Sequence, residues 1–200
     1  MPRPRKFDET AVLDAAVDRF WTQGYEATST RELAESMQMT LASIHNAFGD
    51  KQALFRRALE HYLNGSLRSR IARHESAANP AAAVAGFLRE SIERSLGDGC
   101  RRGCLLVNSA LEVTPENSHM REFLNAELTT IEDFFRRCIV KGRQSGQIGA
   151  GIDADDAARL LFSCLLGIRV LARIRPERSL LEGAARAALA SLGLPEMPDS

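Results

Sequence analysis

The chain has no excess of either charge, no long apolar run and few of the residues that favour strands. Its 26 Lys and Arg are balanced by 26 Asp and Glu. It therefore lacks the basic character usual in nucleic-acid-binding domains, and positive charge for such a partner must be gathered locally. Arg3, Arg5, Lys6, Arg31, Lys51, Arg56 and Arg57 are the candidates. The longest apolar stretch, Leu160 to Ala172, is interrupted by Ser163 and Arg169. A membrane span needs roughly 18 uninterrupted apolar residues, so no membrane partner is expected. The basic start, Met1 to Lys6, has no apolar core behind it and does not read as a signal peptide, which makes a cytoplasmic chain the expectation. With two tyrosines, one tryptophan and little Val, Ile or Thr against abundant Ala, Leu, Arg and Glu, helix is favoured over sheet.

Cysteine is scarce too. Cys100, Cys104, Cys138 and Cys164 read as thiols in a cytoplasmic chain, and no His/Cys cluster has metal-ligand spacing. A Gly-rich phosphate loop, a His-Glu-x-x-His pair and a nucleophile elbow are all missing, so no catalytic residue, metal or cofactor is expected. A small helical enzyme without DNA binding is the weaker alternative. Its one imaginable dyad, Cys104 with His119, has no orienting partner in the sequence. A helical adaptor that binds only protein is a further alternative.

What is present is helix after helix, giving an all-α fold. Asp8 opens a helix with Val12, Leu13, Ala16 and Phe20 on one face, and Gly24 ends it. Ser29-Thr30-Arg31-Glu32 reads as a capping box. A short helix through Leu33, Ala34 and Met37 follows, then a turn at Gln38-Met39, then Thr40 as N-cap of a second short helix, Leu41 to Phe48. Gly49-Asp50 starts a longer helix that runs to Leu63. After a joint at Ala77 to Pro80, helices are expected over about 81–96, 104–113, 116–142, 153–174 and 180–192.

Two short helices joined by a tight turn suit major-groove reading, in which the first braces and the second presents side chains to base edges. Leu33, Met39, Ile44 and Phe48 would hold the pair together. Leu41, Ala42, Ser43, His45 and Asn46 would face outward, small and hydrogen-bonding rather than Glu/Lys-rich, fit for close approach to a surface.

The run Gly24-Tyr25-Glu26-Ala27-Thr28-Ser29-Thr30-Arg31-Glu32-Leu33-Ala34, followed by Thr40-Leu41-Ala42-Ser43-Ile44-His45-Asn46-Ala47-Phe48-Gly49-Asp50-Lys51-Gln52-Ala53-Leu54, resembles the TetR/AcrR family of transcriptional regulators. The match covers most of residues 8 to 62, and beyond it only the helical architecture is similar. The resemblance implies an N-terminal three-helix helix-turn-helix domain (1–52) and a larger C-terminal helical ligand-binding and dimerisation domain (53–200). It implies a repressor that binds a palindromic double-stranded operator DNA as a homodimer and is released by a small-molecule effector.

Carried over position by position, Ser29 caps the bracing helix, Thr30 lies at a phosphate and Arg31 reaches a phosphate or a guanine edge. Thr40 and Ser43 contact phosphates, while Leu41, Ala42, His45 and Asn46 face the groove. Lys51 pairs with a phosphate. Arg3, Arg5 and Lys6 form an arm over the adjacent backbone or minor groove. The family usually has Tyr where this chain has His45, and an aromatic residue or His where it has Ala47, so one backbone contact is expected to be lost.

The resemblance also implies an effector pocket among the middle helices. Phe87, Ile92, Leu106, Met120, Phe123, Leu124, Leu128, Phe134 and Phe135 are its apolar candidates, with Asn108 and Arg169 as polar anchors; the expected contacts are Phe87, Cys104, Asn108, Phe123, Phe134 and Arg169. An ion pair with Glu112, Asp133 or Glu182 would instead make Arg169 structural. Cys104 follows Gly99-Cys100-Arg101-Arg102-Gly103 and precedes an apolar helix, a setting that favours a thiolate. A thiol-based sensor of electrophiles or oxidants is thus the alternative within the same fold. The last two helices, rich in Ala, Leu and Gly, would form a four-helix bundle across a two-fold axis.

Overall fold

The structure is a computed structural model that describes residues 7–198. Its elements are α-helices, with one π-helical turn and no strand among the described residues. The chain divides into two compact units, one up to Arg68 and one from Ser69 onward.

The first unit holds α1 (Glu9–Gln23), α2 (Thr30–Ser36), α3 (Leu41–Phe48) and α4 (Lys51–Leu63), closed by a π-helical turn over Asn64–Arg68. Each α-helix starts where a side-chain oxygen can accept from an otherwise unpaired backbone N–H: Asp8, Ser29, Thr40 and Asp50 all do so. Gly24 and Gly49 end α1 and α3 at φ 87°, a backbone region that favours glycine. α4 packs along α1, where Phe20 and Phe55 meet edge to face at 4.9 Å with Tyr25 beside them. That packing explains why the first unit extends through α4, whereas the expected division at residue 52 falls inside this helix.

The second unit contains α5 (Ser69–Glu75), α6 (Pro80–Leu96), α7 (Leu105–Glu112), α8 (Ser118–Gln144), α9 (Ala154–Ile174) and α10 (Arg178–Ser191). Asn79 caps α6 with Pro80 at its first position, where a missing N–H costs nothing. Asn117 and Asp153 cap α8 and α9. α6 is central, packed against α5, α8, α9 and α10. Phe87 of α6 and Phe134 and Phe135 of α8 are fully buried, with centroids 4.7 to 5.7 Å apart. α10 is tied to α6 by Glu182, which accepts from Arg89 at 3.0 Å, and by Glu93, which accepts from Arg178 at 2.9 Å. α5 and the π-helical turn occupy a stretch to which the sequence pattern assigned nothing. No described helix is long and apolar enough to cross a membrane.

Candidate nucleic-acid interface

The reading head is assembled by backbone chemistry. The Ser29 hydroxyl accepts from the Glu32 N–H at 3.2 Å, and the Glu32 carboxylate accepts from the Ser29 N–H and hydroxyl, both at 2.8 Å. Arg19 of α1 donates to the same carboxylate at 2.7 Å, fixing α2 to α1. These bonds, above all those from Ser29 and then the Arg19 charge, hold the Glu32 carboxyl down to about 2. The turn into α3 passes through Gln38 at φ 52°. The Thr40 hydroxyl then accepts from the Ser43 N–H at 3.1 Å and shares a 2.9 Å bond with the Ser43 hydroxyl.

α3 buries Ile44 alone. Leu41 is 53% exposed, and Ala42, Ser43, His45, Asn46 and Ala47 are exposed with it. An exposed leucine among small polar side chains is a poor solvent face and a suitable groove-contacting one. Thr30 and Arg31 are exposed in the first turn of α2. At the start of α4 the Lys51 ammonium lies 4.4 Å from the Tyr25 ring centroid and 3.4 Å from the Glu26 carbonyl oxygen, to which it donates. Leu33 is fully buried, while Met39 and Phe48 are only half-buried. Arg57 is occupied by Glu9 at 2.6 Å. Arg3, Arg5 and Lys6, the expected arm, lie outside the described residues.

In the second unit the expected effector contacts are scattered. Phe87 and Phe134 are fully enclosed in the aromatic core, and Phe123 is half-buried on α8. Asn108, 8% exposed, donates to the Arg102 carbonyl at 2.8 Å and accepts from Arg173 at 3.1 Å. Cys104 is a half-buried free thiol at the N-cap of α7, and its side chain makes no capping bond. Gly103 before it has φ 73° and sits so close to α9 that a Cβ would lie 2.7 Å from the Arg173 side chain. Among the described residues Cys104 and His119 share no hydrogen bond. A cleft of about 410 Å³ opens between α7 and α8, lined by Ala110, Val113, Arg121, Leu124 and Leu128. Leu124 and Leu128 were apolar candidates, but none of the six expected contacts lines it.

Arg169 is buried, yet it pairs with none of the carboxylates that would make it structural. Glu182 is held by Arg89, Arg178 and Arg186, and Asp133 by Arg136. Arg169 donates instead to the Ser95 hydroxyl at 2.8 Å and the Ser91 carbonyl at 3.3 Å. Arg70 of α5, which the sequence reading missed, arrives at the same place, donating to the Ser91 hydroxyl at 2.5 Å. The available signal was Ser91 and Ser95, two hydroxyls one turn apart on the buried face of α6.

Residues 12–58 match the family model for bacterial regulatory proteins of the tetR family, and residues 80–188 match that for the tetracyclin repressor-like C-terminal domain. The chain is 25% identical over 183 residues to the HTH-type transcriptional regulator YezE of Bacillus subtilis strain 168, covering 91% of this chain and 94% of that one. It is 26% identical over 176 residues to the HTH-type transcriptional repressor ComR of Escherichia coli K12, covering 86% and 82%. Among solved structures, cysteine mutants of the TetR family regulator CifR in complex with 26-bp double-strand operator DNA superpose with TM-scores of 0.84 and 0.85. Their identities are 38% and 37%, and the alignments cover 94% and 97% of this chain and 99% and 100% of CifR.

Proposed function

This chain belongs to the TetR family of bacterial transcriptional regulators, and on that premise we propose that it is a cytoplasmic repressor that binds a palindromic operator as a homodimer and leaves it when a small molecule binds. The observation that carries the reading is the outer face of α3. It is capped by Thr40 and held from within by Ile44, and it offers Leu41, Ala42, Ser43, His45 and Asn46 to solvent. Asn46 can read an adenine edge and Leu41 a thymine methyl, while Thr30, Arg31, Ser43 and Lys51 serve the phosphates. The hydroxyls of Ser29 and Thr40 hold the two helix starts. CifR, similar over nearly the whole chain, has been solved on operator DNA.

Dimerisation is supported by the outer face of α9, where Leu160, Val170, Leu171 and Ile174 are exposed by 41%, 37%, 37% and 78% in the single chain. A surface stripe of this kind is expensive in water and suits a two-fold helix bundle. Ile174→Glu should shift the dimer toward monomer in analytical ultracentrifugation.

The DNA reading is tested by mobility shift on the region upstream of the chain's own gene. Sequence-specific, salt-sensitive retardation, lost in Asn46→Ala with unchanged thermal stability, is expected; a correctly folded dimer that retards no upstream fragment overturns the reading. A sensing thiol is the second reading, favoured by Cys104 lying half-buried and free at the N-cap of α7. In that case Cys104→Ser abolishes release from DNA by a thiol alkylator.

A further inference from the structure

Two guanidinium groups buried in the second unit meet at one serine. Arg70 is 4% exposed and Arg169 9% exposed. Arg70 donates to the Ser91 hydroxyl at 2.5 Å, and Arg169 donates to the Ser91 carbonyl at 3.3 Å and the Ser95 hydroxyl at 2.8 Å. Each arginine carries five N–H donors, and most of these are not engaged. The buried Nε of Arg70 makes no hydrogen bond, and among the described residues its Nη1 has no partner either. The Nε and Nη2 of Arg169 make no hydrogen bond among the described residues, and unlike the Nε of Arg70 they are not fully sealed from solvent.

The charges do not cancel. Glu90 pairs with Arg70 at 3.4 Å, but it shares that one negative charge with Arg73 at 2.6 Å and His74 at 2.9 Å. Arg169 has no carboxylate partner among the described residues. Arg94 adds a third positive charge within reach of Arg70. Burial, and after it the neighbouring Arg169 charge, push the Arg70 guanidinium down to about 10. Like charges withdrawn from water are stable only when an anion or a dense set of acceptors compensates them. The Ser91 and Ser95 hydroxyls, the Ser91 carbonyl and the Phe87 carbonyl, which accepts from Arg70 at 3.5 Å, supply only part of that, and both hydroxyls already donate into the α6 backbone.

We propose that Arg70 and Arg169 form the anion subsite of the effector pocket, so that the effector is a molecule carrying a carboxylate held between the two guanidiniums beside Ser91 and Ser95. A planar carboxylate matches the guanidinium fork, and bridging two arginines uses the N–H groups that Ser91 and Ser95 leave over. Phe87 supports the site from one side, its ring centroid 4.4 Å from the Arg70 guanidinium carbon.

The proposal rests on the ligand-responsive reading above, so binding and DNA release are measured separately. The full-length protein is titrated with benzoate and hexanoate, and with benzamide and hexanamide, at constant ionic strength, following the melting temperature and calorimetric binding. The carboxylates should raise the melting temperature and the amides should not. Arg169→Met should weaken carboxylate binding by about tenfold or more, the loss expected for one charge-assisted pair, while leaving the unliganded protein as stable as before or more so. If that variant fails to fold, Arg169→Lys keeps the charge without the fork and should show an intermediate loss. Equal shifts with acids and amides, no shift with either acid, or unchanged carboxylate binding in a folded Arg169 variant overturns the subsite. Carboxylate binding without release of DNA leaves the subsite standing and refutes the ligand-responsive reading instead.

Discussion

Replacing Lys51 with Met tests whether α4 begins at a phosphate. The ammonium is positioned by the Tyr25 ring at 4.4 Å and the Glu26 carbonyl at 3.4 Å, which holds it at a fixed point at the start of α4, where the proposed reading places a phosphate. Met keeps most of the apolar stem and removes the charge. Each neutralised phosphate contributes about 0.9 to the slope of log affinity against log salt, so a dimer losing two contacts loses about 1.8 of slope. Between about 50 and about 200 mM salt, the affinity advantage of the wild type over the variant should therefore shrink roughly 12-fold. Fluorescence anisotropy of a labelled operator across a chloride series measures this, with Lys51→Arg as the control that keeps the slope. The lost cation–π contact, worth about 0.5 to 1 kcal/mol at an exposed site, would lower thermal stability without touching the slope. An unchanged slope in Lys51→Met, whatever its affinity, refutes the phosphate role.

Other perturbations probe the fold that carries the site. Because the folded Glu32 carboxyl is held at about 2, below the ordinary 4.5, its contribution to stability is complete above 4.5 and is lost as pH falls from there toward 2. Acid unfolding followed by circular dichroism should thus be shallower over that window in Glu32→Gln, and an identical profile would show that the capping box does not couple to stability. Phe134→Ala empties the centre of the aromatic core and should cost about 3 to 5 kcal/mol in chemical denaturation; a loss under about 1 kcal/mol would mean that the site collapses freely. Gln38→Gly relieves a left-handed backbone at φ 52°. It should stabilise by up to about 1 kcal/mol, the relief outweighing the extra chain entropy of glycine; destabilisation would indicate that the Gln38 side chain holds the turn.

The features legible in the sequence act through a few neighbouring residues. The Ser29–Glu32 box, the Thr40 cap and the glycines at 24 and 49 each satisfy or free backbone within one helical turn, so the first unit could be laid out residue by residue. The stretch after Leu63 carries no such signal. There the Ser66 hydroxyl donates to the Tyr62 carbonyl at 2.6 Å and the chain winds on through a π-helical turn. The Arg169 environment was legible only in part, for a different reason. A charge interrupting an apolar face suggests either a ligand anchor or a carboxylate partner, whereas its partners among the described residues are hydroxyl and carbonyl oxygens on α6. Such a meeting depends on the packing of α6 against α9, which no local pattern encodes. Arg70 was invisible for the same reason, and with it the pairing of the two arginines.

The balanced composition constrains the mechanism once the ion pairs are placed. In the first unit Arg19 and Arg57 are occupied by Glu32 and Glu9, while Arg31 and Lys51 are the cations that the proposed reading puts on phosphates. A single reading head then gains few phosphate contacts, and its affinity is modest because backbone charge dominates protein–DNA attraction. Two heads joined by a stable interface bind as one unit, since the second contact forms at high effective concentration. On the proposed dimer, operator affinity would then depend as much on the α9 stripe as on α3. Arg169 lies on the buried side of that same α9. A carboxylate drawn between Arg70 and Arg169 would act on the helix whose outer face is proposed to join the two subunits. It would release DNA to the extent that it binds one spacing of the heads better than the other.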